Sequence, residues 1–336
     1  MKKRIILEVT VILKMEIITY NEDWAQAWDN FLPKALNSTF LHSRAFYKHN
    51  AQNALDDASF LFLKKGKIIG LLPAILYSKN EQKILHSHLR STYGGFVVNA
   101  DVGVAEAVEM VDLLLEEAKK LQINEIIVRN PFRIFNKDFS DETDYALWYR
   151  GFALKSREIE IAIDLRGNLE QIRAKYQNGA KYNIKKALKF VHTKISENYE
   201  DFWIMLTLNL QNKHKTKPVH SLENFMYLRQ LVGQENIKLF TGWVEGQLAC
   251  GVVVFLFEKV AIHAQYIASD EAYQHIRPLN AVLDYIIAWG HAQGYQYFNL
   301  GTANEAQGSI INTGLFHFKE GFGGRGVLRE TMHKFL

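Results

Sequence analysis

Two stretches of this chain run through the same order of elements. Residues 59–131 and 238–302 each read as a hairpin, a strand, a long helix and a strand. The hairpins are "SFLFLKKGKIIGLLPAILYSK" and "IKLFTGWVEGQLACGVVVFLF", turning at Lys65-Gly66-Lys67 and at Glu245-Gly246-Gln247. "YGGFVVN" and "VAIHAQYIA" supply the next strands, and "NEIIVRNP" and "YQYFNLGT" the last. In the first long helix Val108, Val111, Leu115 and Ala118 share one face. A unit that recurs at matched spacing predicts two α/β copies packed together. Their shared groove is then the expected ligand site. The expected units are residues 15–155 and 156–336, the second opening on "IEIAIDL" with helices to about residue 232.

Composition narrows the class. Apolar residues make up 48% and charged residues 23% of the 336, which is ordinary for a globular protein. The single cysteine, Cys250, lies in an apolar run and reads as a small core residue. One cysteine rules out an internal disulfide and a zinc site of several thiolates. No metal cluster stands out. The net charge of +4 does not call for nucleic acid, and no DNA partner is expected. No apolar stretch reaches the length of a membrane span. Residues 1–14 read as an extension or a misassigned start ahead of Met15, and the expected location is the cytoplasm.

Near the end, "HFKEGFGGRG" places Gly321, Gly323 and Gly326 in a G-x-G-x-x-G pattern. A dinucleotide fingerprint needs a following helix and an acidic residue about 20 positions on. Only ten residues follow Gly326. The pattern therefore reads as a glycine turn joining the last two strands.

Five segments carry a resemblance: "TFLHSRAFYKHN", "RSTYGGFVVN", "KYNIKKALK", "HKTKPVHSLENF" and "FNLGT…GLFHFKEGFGGR". With the repeated element order, which is that of the GNAT acyltransferase fold, they resemble the FemAB-like tandem-GNAT acyltransferases, a family that takes in the BioF2-like or CelD-like acetyltransferases. The resemblance runs from about Met15 to the end. It implies an α/β (α+β) fold of two GNAT-like units with a groove between them. It implies an acyl donor between two splayed parallel strands, here "VAIHAQYIA" and "YQYFNLGT", and points to Lys319 as a functional residue. Acetyl-CoA or another acyl-CoA is the implied co-substrate. The implied reaction is N-acyl transfer of an acetyl or other short acyl group. The acceptor would be an amine of a nucleotide- or lipid-linked amino sugar or related envelope precursor. Two alternatives stay open: aminoacyl-tRNA-dependent transfer to a peptidoglycan precursor, and a non-catalytic protein that binds anionic glycans or nucleotide sugars. One feature departs from the pattern of CoA-using GNAT enzymes. The loop "SDEAYQHIRPLN" has no glycine and "NADVGVAEA" has one, so neither copy carries the usual glycine-rich pyrophosphate loop.

Direct reading of residues adds candidates. Residues 171–195 hold seven Lys or Arg and no acid. On a helix Lys181, Lys185 and Lys189 form one face, opposite Ile184, Ala187, Leu188 and Val191. An anionic partner, a phosphate-bearing small molecule, a lipid pyrophosphate or RNA, would relieve that repulsion. Lys181, Tyr182 and Lys185 are the favoured contacts, with a solvated basic face as the alternative. Tyr93, Gly94, Gly95 and Arg90 are expected to wall the groove, with a bulge as the alternative. His263 is a candidate base, or a hydrogen-bonded core histidine. Tyr266, Asn299 and Thr302 are candidate substrate contacts, the last two able equally to close a turn.

Overall fold

The computed structural model describes residues 15–50, 56–89 and 91–336. The proposed extension 1–14 and Arg90 lie outside the described residues. Eleven strands form one continuous sheet, and a second sheet of four lies in the first half.

The second half is the more regular copy. Strands Ile237–Val244 and Gln247–Phe257 pair antiparallel, and Gln247–Phe257 then pairs with Ala261–Ser269. Helix Pro278–Ala292 follows, with proline at its first turn, where its missing N–H costs nothing. Strand Tyr297–Thr302 returns parallel to Ala261–Ser269, but only from Ala261↔Tyr297 to His263↔Asn299. Beyond that the two strands part. Just past the parting, Gln265 is the extra residue of a β-bulge, since Val253 pairs with Tyr266 and Val254 with Ala264. Strand His192–Ser196, which the sequence reading missed, extends the sheet beside Ile237–Val244.

The first copy repeats this plan with one break. Strands Phe60–Lys64 and Lys67–Leu72 form the expected hairpin. Pro73 then interrupts the chain, and Ile75–Lys79 continues in the large sheet rather than the small one. The strand parallel to Glu125–Val128 is Gln82–His86, not "YGGFVVN". Of the latter only Val97–Val98 is strand, and it pairs with Lys67–Leu72. Helix Val104–Lys120 buries Ala107, Met110, Val111, Leu114 and Ala118, a face shifted slightly from the expected one.

The halves are stitched by two long strands. Ala153–Asp164 runs through the expected boundary at 155/156 and pairs with Tyr297–Thr302. The last strand, Arg325–Phe335, inserts between Ala153–Asp164 and Glu125–Val128, antiparallel to both. The C-terminus therefore completes the sheet of the first half. One apolar core crosses the junction, joining Leu41, Phe46, Tyr93, Phe132 and Phe135 to Trp203, Phe225, Phe257 and Tyr266.

Candidate active site

The site grows from the parting of strands Ala261–Ser269 and Tyr297–Thr302. Helix Thr313–Glu320, capped by the Asn312 side chain, brings Lys319 to that gap. Lys319 is thus helical, and the glycine turn follows a helix instead of linking two strands. The lysine is only 4% exposed. Its Nζ donates to the carbonyl oxygens of Gly301 at 2.9 Å and Thr302 at 2.6 Å. An ammonium has three donors, so one is left to face a ligand. Burial pulls its pKa down to about 8, partly offset by the negative Glu160.

Beneath it runs a buried polar chain that the sequence reading found only in part. Asn299 Nδ2 donates to Glu160 Oε2 at 2.6 Å and to His263 Nδ1 at 3.2 Å, and its Oδ1 accepts from the Gly301 amide. Arg329 closes the chain on Glu160 at 3.0 Å and on Glu158 at 2.6 Å. Burial raises the Glu160 pKa. Asn299 therefore anchors the strand end that Lys319 grips. Glu158, Glu160 and Arg329 come from two strands about 170 residues apart in sequence, so no local pattern joins them.

His263 does not fit the role of base. It is buried, its Nδ1 is occupied by Asn299, and burial pushes its pKa down to about 3. Tyr266 lies in the core, its hydroxyl 2.7 Å from His220 Nδ1. Thr302 closes a turn: its hydroxyl donates to the Ile159 carbonyl and accepts from the Asn304 amide.

Tyr93, Gly94 and Gly95 pack into the first copy and line neither of the two cavities at Lys319 and Glu320. The segment fills, in the first copy, the opening that stays free in the second. The Gly94 amide donates to the Arg129 carbonyl, just past strand Glu125–Val128. Tyr93 is buried, its hydroxyl 2.8 Å from Thr39 Oγ1. A Cβ on Gly95 would lie 2.2 Å from Asn130 Oδ1, and its φ of +74° is left-handed. Among the described residues, the gap stays open in the second copy.

Two cavities are lined from the last turn of helix Thr313–Glu320. One, of about 400 Å³, is lined by Lys319 and by Leu206, Leu210, Ile267, Leu283, Leu300 and Phe318, among others. The other, of about 700 Å³, is lined by Glu320, Gly323, Gly324, Arg325 and Lys175, with Ile134 from the first half. Neighbouring residues, Lys319 and Glu320, thus face different cavities. Gly323, at φ +75°, leaves room for Lys175: a Cβ there would lie 2.8 Å from the Lys175 Cβ. Of the three glycines in the G-x-G-x-x-G pattern, Gly323 lines this second cavity, beside Gly324.

The basic helix Asn178–Ala187 packs through Ala180, Ile184 and Ala187. Lys181, Tyr182 and Lys185 are exposed on its outer side and line neither cavity. The helix ends before Lys189, and Leu188 is exposed, which shortens the expected face. The loop before helix Pro278–Ala292 has Arg277 in the left-handed region, φ +59°, a conformation that favours glycine.

Residues 174–319 match the family model of the acetyltransferase (GNAT) domain. No curated protein sequence matches the chain. Among solved structures, FemX is similar over 96% of this chain and 97% of its own, with a TM-score of 0.72 and 11% identity. L-PGS from Bacillus licheniformis is similar over 93% of this chain and 91% of its own, with a TM-score of 0.55 and 14% identity. A tandem GNAT protein from the clavulanic acid biosynthesis pathway is similar over 96% and 98%, with a TM-score of 0.51 and 10% identity. The second half thus matches an acetyltransferase (GNAT) domain, and nearly the whole chain shares the fold of FemX and of the tandem GNAT protein.

Proposed function

We propose that the protein is a cytoplasmic N-acyltransferase acting on an amine of a nucleotide- or lipid-linked amino sugar or related envelope precursor. The observation that carries this is the partition at Lys319 and Glu320, with an apolar pocket lined by Lys319 on one side and a groove lined by Lys175, Glu320 and Arg325 on the other. The acyl carbonyl would lie at Lys319, whose third N–H meets the negative charge that develops on its oxygen. The acceptor would occupy the groove, with Lys175 and Arg325 toward its phosphates. Lys181, Tyr182 and Lys185 would extend that contact outward. Holding both partners lowers the barrier by orientation alone. An acyl-CoA is the proposed donor; an aminoacyl-tRNA is the competing one, favoured by the exposed basic helix.

The test is turnover with acyl-CoA and amino-sugar acceptors, alongside calorimetry of acceptor binding. Lys319→Met is expected to lower kcat by about 10²–10³ while sparing acceptor affinity. Tight acceptor binding with no transfer from any donor would instead leave a glycan-binding protein. Lys181→Gln with Lys185→Gln should weaken acceptor binding and flatten its salt dependence. Unchanged salt dependence would remove the helix from the site.

A further inference from the structure

The 400 Å³ cavity at Lys319 has a one-sided chemistry. Leu206, Leu210, Ile267, Leu279, Leu283, Leu300, Leu315 and Phe318 form its walls, and only Asn209, Asn312 and Lys319 are polar. Each amide oxygen already accepts one backbone N–H. Asn209 Oδ1 accepts from the Ser269 amide at 3.2 Å and Asn312 Oδ1 from the Leu315 amide at 3.0 Å. What the pocket offers a ligand is hydrocarbon and N–H donors. No carboxylate is among its lining residues.

Each candidate donor meets that lining differently. A thioester or ester carbonyl finds its donor at Lys319. An α-ammonium, as an aminoacyl group carries, finds no carboxylate among the lining residues and would sit beside a cation, which is costly in an apolar pocket. An acetyl group has one methyl beyond its carbonyl. At about 30 Å³ for each water-sized group, it leaves most of the pocket empty. An empty apolar cavity contributes nothing to binding, whereas each buried methylene does.

Resting on the acyltransferase reading, we propose that the donor's acyl group is an uncharged hydrocarbon chain longer than acetyl. Leu210, Leu283, Leu300 and Leu315 would set its length. This choice disfavours acetyl and aminoacyl donors alike.

Binding can be measured without any transfer step. The probes are N-acetylcysteamine thioesters from acetyl to decanoyl, with alanyl and isobutyryl thioesters as a matched charged and apolar pair. Calorimetric affinity is expected to rise roughly fourfold per methylene until the pocket is full. The isobutyryl ester should bind at least tenfold tighter than the alanyl one. Leu315→Trp, at the 39% exposed rim, should cut affinity for the long chains and leave acetyl unchanged. Leu210→Trp is the second variant, should the first misfold. Affinity flat with chain length, or an alanyl ester as tight as isobutyryl, would overturn the proposal. Chain-length-dependent binding without transfer to any amine would sink the acyltransferase reading and leave the pocket assignment standing.

Discussion

At the residue scale, Lys319 carries a cost and a use. Its folded pKa, about 8, lies below the usual lysine value of 10.5 because burial disfavours the charge. The sign follows from linkage. A lysine with a depressed pKa stabilises the fold fully only above 10.5 and loses that contribution as pH falls through 8. The stability difference between wild type and Lys319→Met should therefore move in favour of wild type from pH 8 to 10.5, as read by chemical denaturation. If the cation is what meets the oxyanion, kcat should fall over the same range. Arg329 is held differently, between two carboxylates that are nearly inaccessible. Arg329→Ala leaves both unpaired and should cost about 3–5 kcal/mol. Gly95 and Gly246 both have positive φ, but a Cβ collides at Gly95 and meets nothing within 4 Å at Gly246. Gly95→Ala should cost about 2–4 kcal/mol and Gly246→Ala about 1 kcal/mol. Equal losses in urea titrations would count against the close packing described for Gly95.

At the element scale, the site depends on where strands stop pairing. Strands Ala261–Ser269 and Tyr297–Thr302 keep three parallel pairs and then diverge at a bulge. In the first copy Ser87 and Gly94 continue the pairing, their backbone N–H groups donating hydrogen bonds to the Ile127 and Arg129 carbonyls. Identical element order thus gives one open and one filled copy. The last strand is an element of both halves. Deleting residues 325–336 would expose the edges of Ala153–Asp164 and Glu125–Val128 and remove Arg329. Such a chain should be insoluble or lack a cooperative melt, even though its first 155 residues are intact. A soluble truncation with native-like circular dichroism would show that the halves do not need the stitch.

At the scale of the whole molecule, one sheet and one shared core bind the copies together. Heating should give a single calorimetric transition with matching van't Hoff and calorimetric enthalpies. Two resolved transitions would mean independent halves. The repeat, the hairpins at Gly66 and Gly246, and the helices 104–120 and 278–292 were all legible in the sequence, because they rest on local periodicity and turn chemistry. The misread "YGGFVVN" shows the limit: Tyr93 and Val97–Val98 are apolar because they are buried, and burial has the same composition in a strand or in a packed loop. His263 and Tyr266 looked available because alternation reports a face, not what covers it. Asn299 was seen, but its partners Glu160 and Arg329 were not, since nothing local ties residue 160 to 299 or 329. The sequence by itself determined most of the helices and strands and the recurrence of their order in the two halves. Only the tertiary structure decided which copy keeps its gap, that the last strand closes the first half, and that a lone lysine faces an apolar pocket. Those outcomes are set by contacts between residues far apart in the chain, where local pattern carries no information.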